Sequence, residues 1–71
     1  MQLRQLSGCK NGPCPKVFKD IDSQDVIVQG YAVQDPLDLA RVGNVPSGEA
    51  VVRIPRAIFA QAIRAMRKGY Q

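Results

Sequence analysis

The hydrophobic and polar positions of this chain predict three short β-strands. Residues 16–19 alternate briefly, residues 25–33 contain consecutive β-branched side chains, and residues 50–54 repeat that pattern. Asx and Ser turn residues between the first two segments predict a hairpin. Gly30, inside the second segment, indicates a bulge or a close approach of another backbone.

Two further segments carry the signals of α-helices. Asp35 can cap the first free N–H groups, Pro36 suits the first helical position, and Gly43 can end the helix after one or two turns. Residues 56–68 place six apolar side chains on one side of a helix and four cations on the other, at about 100° per residue. The apolar side, which includes Phe59, is expected to pack on the sheet.

The length of 71 residues predicts one domain, 1–71. Residues 1–15 are rich in Gly and Pro and are expected to form a structured loop, so residues 16–68 form the expected folded core. The predicted class is α+β, in the order β-β-α-β-α: a small antiparallel sheet of about three strands with an amphipathic C-terminal helix packed on one face. Such a domain buries only about 60% of the surface of its unfolded chain, so a partner or a covalent staple is expected to support it.

Composition excludes several functions. The chain is 45% hydrophobic and 23% charged, which is typical of a folded globular domain, and it has no histidine. The commonest acid/base group and metal ligand is therefore absent, and we expect no enzymatic activity. No apolar run approaches the roughly 20 residues that span a membrane, and residues 1–8 lack the apolar region of a signal peptide. We therefore expect a cytoplasmic protein.

The net charge of +4 is unevenly distributed. Residues 51–71 carry five cations and no acid, whereas residues 1–50 carry five cations and six acids, so the two parts have net charges of +5 and −1. This asymmetry indicates an acidic partner for the C-terminal part, either a protein or a nucleic acid. The expected partner-binding residues are Arg53, Arg56, Arg64, Arg67 and Lys68.

These cations also have a simpler interpretation, an ordinary solvated helix face. The helix dipole favours cations at a C terminus, which explains Arg67 and Lys68 but not Arg53 and Arg56 at the strand-to-helix junction. If the face instead neutralised four DNA phosphates, binding would show a salt slope of about −3.6. Membrane binding is less favoured than either partner, because the larger apolar side chains of the helix are needed for the core.

Cys9 and Cys14 are the two cysteines, separated by four residues in a loop rich in Gly and Pro. Two free thiols packed as small apolar side chains are the favoured state, because cytosolic thiols are usually kept reduced. A disulfide that rigidifies the loop is the second alternative. The third is a zinc ion shared with the cysteines of a second copy or completed by an Asp, since one chain supplies only two ligands. No other cofactor is expected.

Two short patterns have structural explanations. Asp20, Asp22 and Asp25 match only the first part of a calcium-binding loop and are better explained by a hairpin turn. The aromatic residues Phe18, Tyr31 and Phe59 are expected to serve the core.

Short motifs in this sequence resemble two families. The order Cys14-Pro15-Lys16-Val17-Phe18, then Val26-Ile27-Val28 with Asp35-Pro36, then Val51-Val52-Arg53-Ile54-Pro55 before a helix, resembles small actinobacterial proteins encoded beside helix-turn-helix regulators. That resemblance implies a partner protein in transcriptional regulation. Val52-Arg53-Ile54-Pro55-Arg56-Ala57-Ile58 is similar to the strand-to-helix junction of swapped-hairpin transition-state regulators, which bind DNA as dimers.

We therefore expect a non-enzymatic protein-interaction module in transcriptional regulation that binds an acidic surface through its basic C-terminal helix. One alternative is a small dimeric DNA-binding protein that uses the same basic face. The other is a structural subunit stapled by zinc or by a disulfide between Cys9 and Cys14.

Overall fold

A computed structural model describes residues 1–68, in which two α-helices and five β-strands confirm the predicted α+β class. The elements are β1 (Leu3–Gly8), β2 (Lys16–Asp20), β3 (Val26–Gln29), β4 (Tyr31–Ala32), α1 (Pro36–Val42), β5 (Val52–Arg53) and α2 (Arg56–Lys68). Neither helix in this part of the chain is long and apolar enough to cross a membrane.

The first three strands form an antiparallel sheet in the order β1-β2-β3, and the predicted β2–β3 hairpin is confirmed. Its turn is held by Asp20, whose carboxylate accepts hydrogen bonds from the backbone N–H of Asp22 and the hydroxyl of Ser23, both at 3.0 Å. The acidic cluster is thus part of a turn, as expected from the Asx and Ser residues.

Strand β1 corrects the prediction that residues 1–15 form a loop, because residues 3–8 pair with β2. A β-bulge between Gln5 and Ser7 leaves Leu6 without a register partner. Such an extra residue breaks the two-residue alternation that identifies strands, so Leu3 and Leu6 stand three positions apart rather than two. The connecting loop is confined to residues 9–15.

The predicted strand 25–33 is divided at Gly30, and its second half joins a separate sheet. In that sheet Tyr31 is the register partner of Arg53, so β5 pairs with β4 and not with the three-stranded sheet. The close backbone approach predicted at Gly30 is confirmed: a Cβ there would lie 2.6 Å from Cγ2 of Ile54 and 2.7 Å from the carbonyl oxygen of Arg53.

Helix α1 has the predicted ends. The carboxylate of Asp35 accepts a hydrogen bond from the N–H of Leu37 at 3.0 Å, and Pro36 is the first helical residue. Gly43, at φ +113°, donates its N–H to the carbonyl of Leu39. A left-handed φ of this kind favours glycine at a helix end.

The core lies where α2 packs against β1 and β2. Ser7 and Val17 are register partners in those strands and are 6% and 2% exposed, and Ala62 of α2 is also 2% exposed. Apart from Pro15, Val17 and Ala62 are the buried apolar residues of the described chain, so the core is small.

The chain exposes more surface than a compact protein of its mass. Its accessible surface is 5649 Å², whereas about 4,400 Å² is expected at 7.8 kDa, an excess of about 1,300 Å². The radius of gyration is 13.5 Å, against about 11 Å for a compact domain of 71 residues. A large part of the surface is therefore left for contacts that the chain does not make with itself.

Gly30→Ala tests the contact between the two strand segments. The added methyl group would overlap Ile54 and the Arg53 carbonyl, so we expect the free energy of unfolding to fall by about 1–3 kcal/mol in urea denaturation. Ala at the exposed position Gln34 should change it by less than about 0.5 kcal/mol. Equal stability of the two variants would contradict the close approach.

Candidate functional site

The five predicted partner-binding cations are all exposed and lie on α2 and the strand that leads into it. They form two groups rather than one cluster. Arg53 and Arg56 lie at the start of α2, and Arg64, Arg67 and Lys68 lie in its last two turns. Arg64 is eight positions after Arg56, which corresponds to about 12 Å along a helix axis.

No direct ion pair neutralises these side chains in the described part of the chain. Within residues 1–68, none of the five forms an ion pair or a side-chain hydrogen bond. The first turn of α2 has no acidic residue, and the chain carries none after Glu49. The positive charge of α2 therefore faces solvent without compensation and is available to a partner.

Arg56 is in an unfavourable position for a cation. It is the first residue of α2, where the unpaired N–H groups of a helix create a partial positive charge. A cation there destabilises a helix by about 0.3–1 kcal/mol, whereas Arg67 and Lys68 in the last turn are favoured by the same dipole. The helix dipole therefore accounts for the C-terminal group and not for Arg56.

The apolar side of α2 is covered only in part. Ala62 is buried and Ile58 and Met66 are partly buried, but Phe59 and Ile63 are 54% and 38% exposed. The prediction that α2 packs on the sheet is therefore confirmed, but the expectation that Phe59 lies in the core is wrong. At 100° per residue Phe59 and Ile63 lie at the edge of that side, beyond the two strands that α2 contacts.

Tyr31 is likewise exposed rather than buried, at 58%, because β4 belongs to the outer two-stranded sheet. Phe18, in the central strand β2, is partly buried. Of the three aromatic residues expected in the core, only this one is largely covered.

Four of the five cations and the exposed apolar pair, Phe59 and Ile63, thus lie on one helix, α2. No protein-family model, curated protein or solved structure matches this chain. Function is therefore inferred from these residues and their geometry.

Arg53 also lines a second feature, an open depression of about 300 Å³ between α1 and the segments around β5. Its charged lining residues are Asp38, Arg41 and Arg53, and the rest of the lining is valine. Arg41 therefore lines the same depression as Arg53, one of the predicted partner-binding residues.

The cysteine loop contains a disulfide between Cys9 and Cys14, whose Cα atoms lie 6.2 Å apart. The favoured expectation of two free thiols is therefore wrong, and a zinc site loses both of its sulfur ligands. Among residues 1–68, no group of three or more His, Cys, Asp or Glu side chains could hold a metal ion. The sequence did not reveal the pairing of β1 with β2, which brings the two ends of this loop together.

Hydrogen bonds reinforce the same loop. The side-chain amide of Gln5 donates to the carbonyls of Ser7, Gly8 and Cys9, at 3.2, 3.2 and 2.8 Å. The N–H of Cys9 lies 3.1 Å from Sγ of Cys14. Cys9 is exposed, so the disulfide lies at the surface and acts as a staple between the ends of β1 and β2.

Replacing both cysteines by serine should remove this staple. For a closed loop of six residues, the chain-entropy model predicts a loss of about 2 kcal/mol in the free energy of unfolding. Urea denaturation of the double variant and of the wild type, with and without a reductant, measures the loss. Reductant should have no effect on the variant. A wild type that titrates with two free thiols before reduction would contradict the disulfide.

Arg56→Glu should stabilise the isolated chain by about 1 kcal/mol, because it replaces a disfavoured cation with a favoured anion at the start of α2. Lys68→Glu should destabilise the chain by a similar amount. Lys10→Glu makes the same charge change in the exposed loop and should alter stability by less than about 0.5 kcal/mol. Thermal denaturation measures the stability of all three variants. Equal shifts in melting temperature would show that only net charge matters.

Proposed function

We propose that this chain is a non-enzymatic protein-interaction module that binds an acidic surface of a partner protein through α2 and Arg53. The observation that carries the proposal is the set of five exposed cations on α2 and β5 that form no ion pair within residues 1–68. Arg56 is the most telling member, because the isolated helix would be more stable without a cation at that position.

The exposed area supports a macromolecular partner. A standard protein–protein interface buries about 800 Å² on each partner. The accessible surface of 5649 Å² leaves room for an interface of this size. Arginine and aromatic residues are enriched at protein interfaces, and α2 exposes both types.

Transcriptional regulation is part of this proposal and comes from the resemblance to small proteins encoded beside helix-turn-helix regulators. The cytoplasmic location expected from the sequence is not part of this proposal, because structural disulfides such as Cys9–Cys14 persist mainly in oxidising compartments. The alternative of a dimeric DNA-binding protein would use the same basic face, and the experiment below includes it.

The test compares two variants with the same change in net charge. Arg56→Glu with Arg64→Glu reverses two cations of α2, and Lys10→Glu with Lys16→Glu reverses two cations of the N-terminal part, outside α2 and the depression beside Arg53. Partner proteins are captured from extract of the native cells, identified, purified and titrated against each variant. We expect the α2 variant to weaken binding at least about tenfold, since a buried interface arginine contributes more than 1 kcal/mol.

The control variant should bind within about threefold of the wild type. If both variants lose the partner equally, net charge and not α2 is responsible, and the proposal fails. Binding of duplex DNA that is tighter than protein binding and falls steeply with salt would instead support the DNA alternative.

A further inference from the structure

The exposed side of α2 combines apolar and basic residues in one line. Phe59 and Ile63 are one turn apart and are 54% and 38% exposed, and Arg56 and Arg67 stand before and after them. At 100° per residue these four residues fall within about 80° of the helix circumference. We call this set, Arg56, Phe59, Ile63 and Arg67, the mixed stripe.

We propose that the mixed stripe binds an acidic amphipathic α-helix, in which two apolar residues one turn apart are flanked by Asp or Glu. This inference rests on the proposed function and specifies the chemistry of the partner. The stripe spans eleven residue steps, about 16 Å or three helical turns. A partner helix of that length could place its apolar pair on Phe59 and Ile63 and a carboxylate near each arginine.

Like charges oppose a symmetric dimer in which two mixed stripes face each other. A symmetric dimer would place the same patch on both sides of the interface. Arg56 and Arg67 of one copy would then face the arginines of the other, and α2 contains no acid to separate them. Like charges brought together in this way oppose association.

The exposed pair Phe59 and Ile63 favours an acidic amphipathic helix over DNA or a lipid bilayer as the partner. DNA phosphates would contact the arginines but would offer no apolar surface to Phe59 and Ile63. A lipid bilayer could accept both residues, but the remaining apolar residues of α2, among them Ile58 and Met66, are packed toward β1 and β2 and cannot enter it. The pair alone gives little area for insertion.

A selection experiment tests the chemistry directly. Random 16-residue peptides displayed on phage are selected on the intact, oxidised chain, and the most enriched sequences are synthesised for titration calorimetry. We expect net-negative sequences with apolar residues at spacing i, i+3 or i, i+4 that become helical on binding. Their affinity should fall at least about tenfold for Phe59→Ala with Ile63→Ala, as for interface anchors.

The matched control is Leu37→Ala with Val42→Ala, which removes two apolar side chains that are 76% and 59% exposed on α1. This variant should bind within about threefold of the wild type. Phe59→Gln keeps a side chain of substantial size and should also bind at least about tenfold more weakly, which separates anchoring from folding defects. Circular dichroism confirms that each variant is folded before titration.

The outcomes separate this inference from the proposed function. Acidic peptides that lack the apolar pair, or that bind the Phe59/Ile63 variant as tightly as the wild type, overturn the mixed stripe but leave the basic-face proposal standing. Peptides without acidic residues, or peptides insensitive to Arg56→Glu with Arg64→Glu, overturn both. Tighter binding to phosphatidylserine vesicles or to duplex DNA than to any selected peptide also overturns the inference.

Discussion

The rest of the structure depends on the packing of α2 against β1 and β2, the elements that hold the buried residues Ala62, Ser7 and Val17. All three side chains are small, so the helix can approach the sheet closely, but little apolar area is buried there. The hydroxyl of Ser7 is buried without a hydrogen-bond partner among residues 1–68, which lowers the stability gained at this point. The core of residues 1–68 is thus formed by the packing of one helix on two strands.

A core of this size explains why the ends of β1 and β2 are fastened covalently. The Cys9–Cys14 disulfide restricts the unfolded chain, and the amide of Gln5 holds the backbone carbonyls between the bulge and Cys9. Small domains commonly use such staples where hydrophobic burial is insufficient. The staple adds stability without covering any part of α2, so the outer side of the helix stays available.

The helices and the β2–β3 hairpin could be predicted from local signals in the sequence, whereas the pairing of β1 with β2 and of β4 with β5 could not. Helix α2 has the predicted bounds because its periodicity is intrinsic to residues 56–68, and α1 follows from Asp35 and Gly43. Strand β1 was missed because a bulge hides its alternation, and the disulfide was not favoured because a reducing compartment was assumed. The exposure of Phe59 could not be predicted, since helical periodicity shows which side is apolar but not how much of it a neighbouring sheet covers.

Two costs to the isolated chain coincide on the side of α2 that the core leaves outward. Arg56 opposes the helix dipole, and Phe59 with Ile63 holds apolar surface in water. An acid at the first position and polar residues at the other two would make the same helix more stable alone, with the buried residue Ala62 unchanged. Stability of the free chain therefore does not explain these residues. A partner that supplies negative charge and apolar area together would offset both costs in one contact, whereas a purely ionic partner would offset only the first.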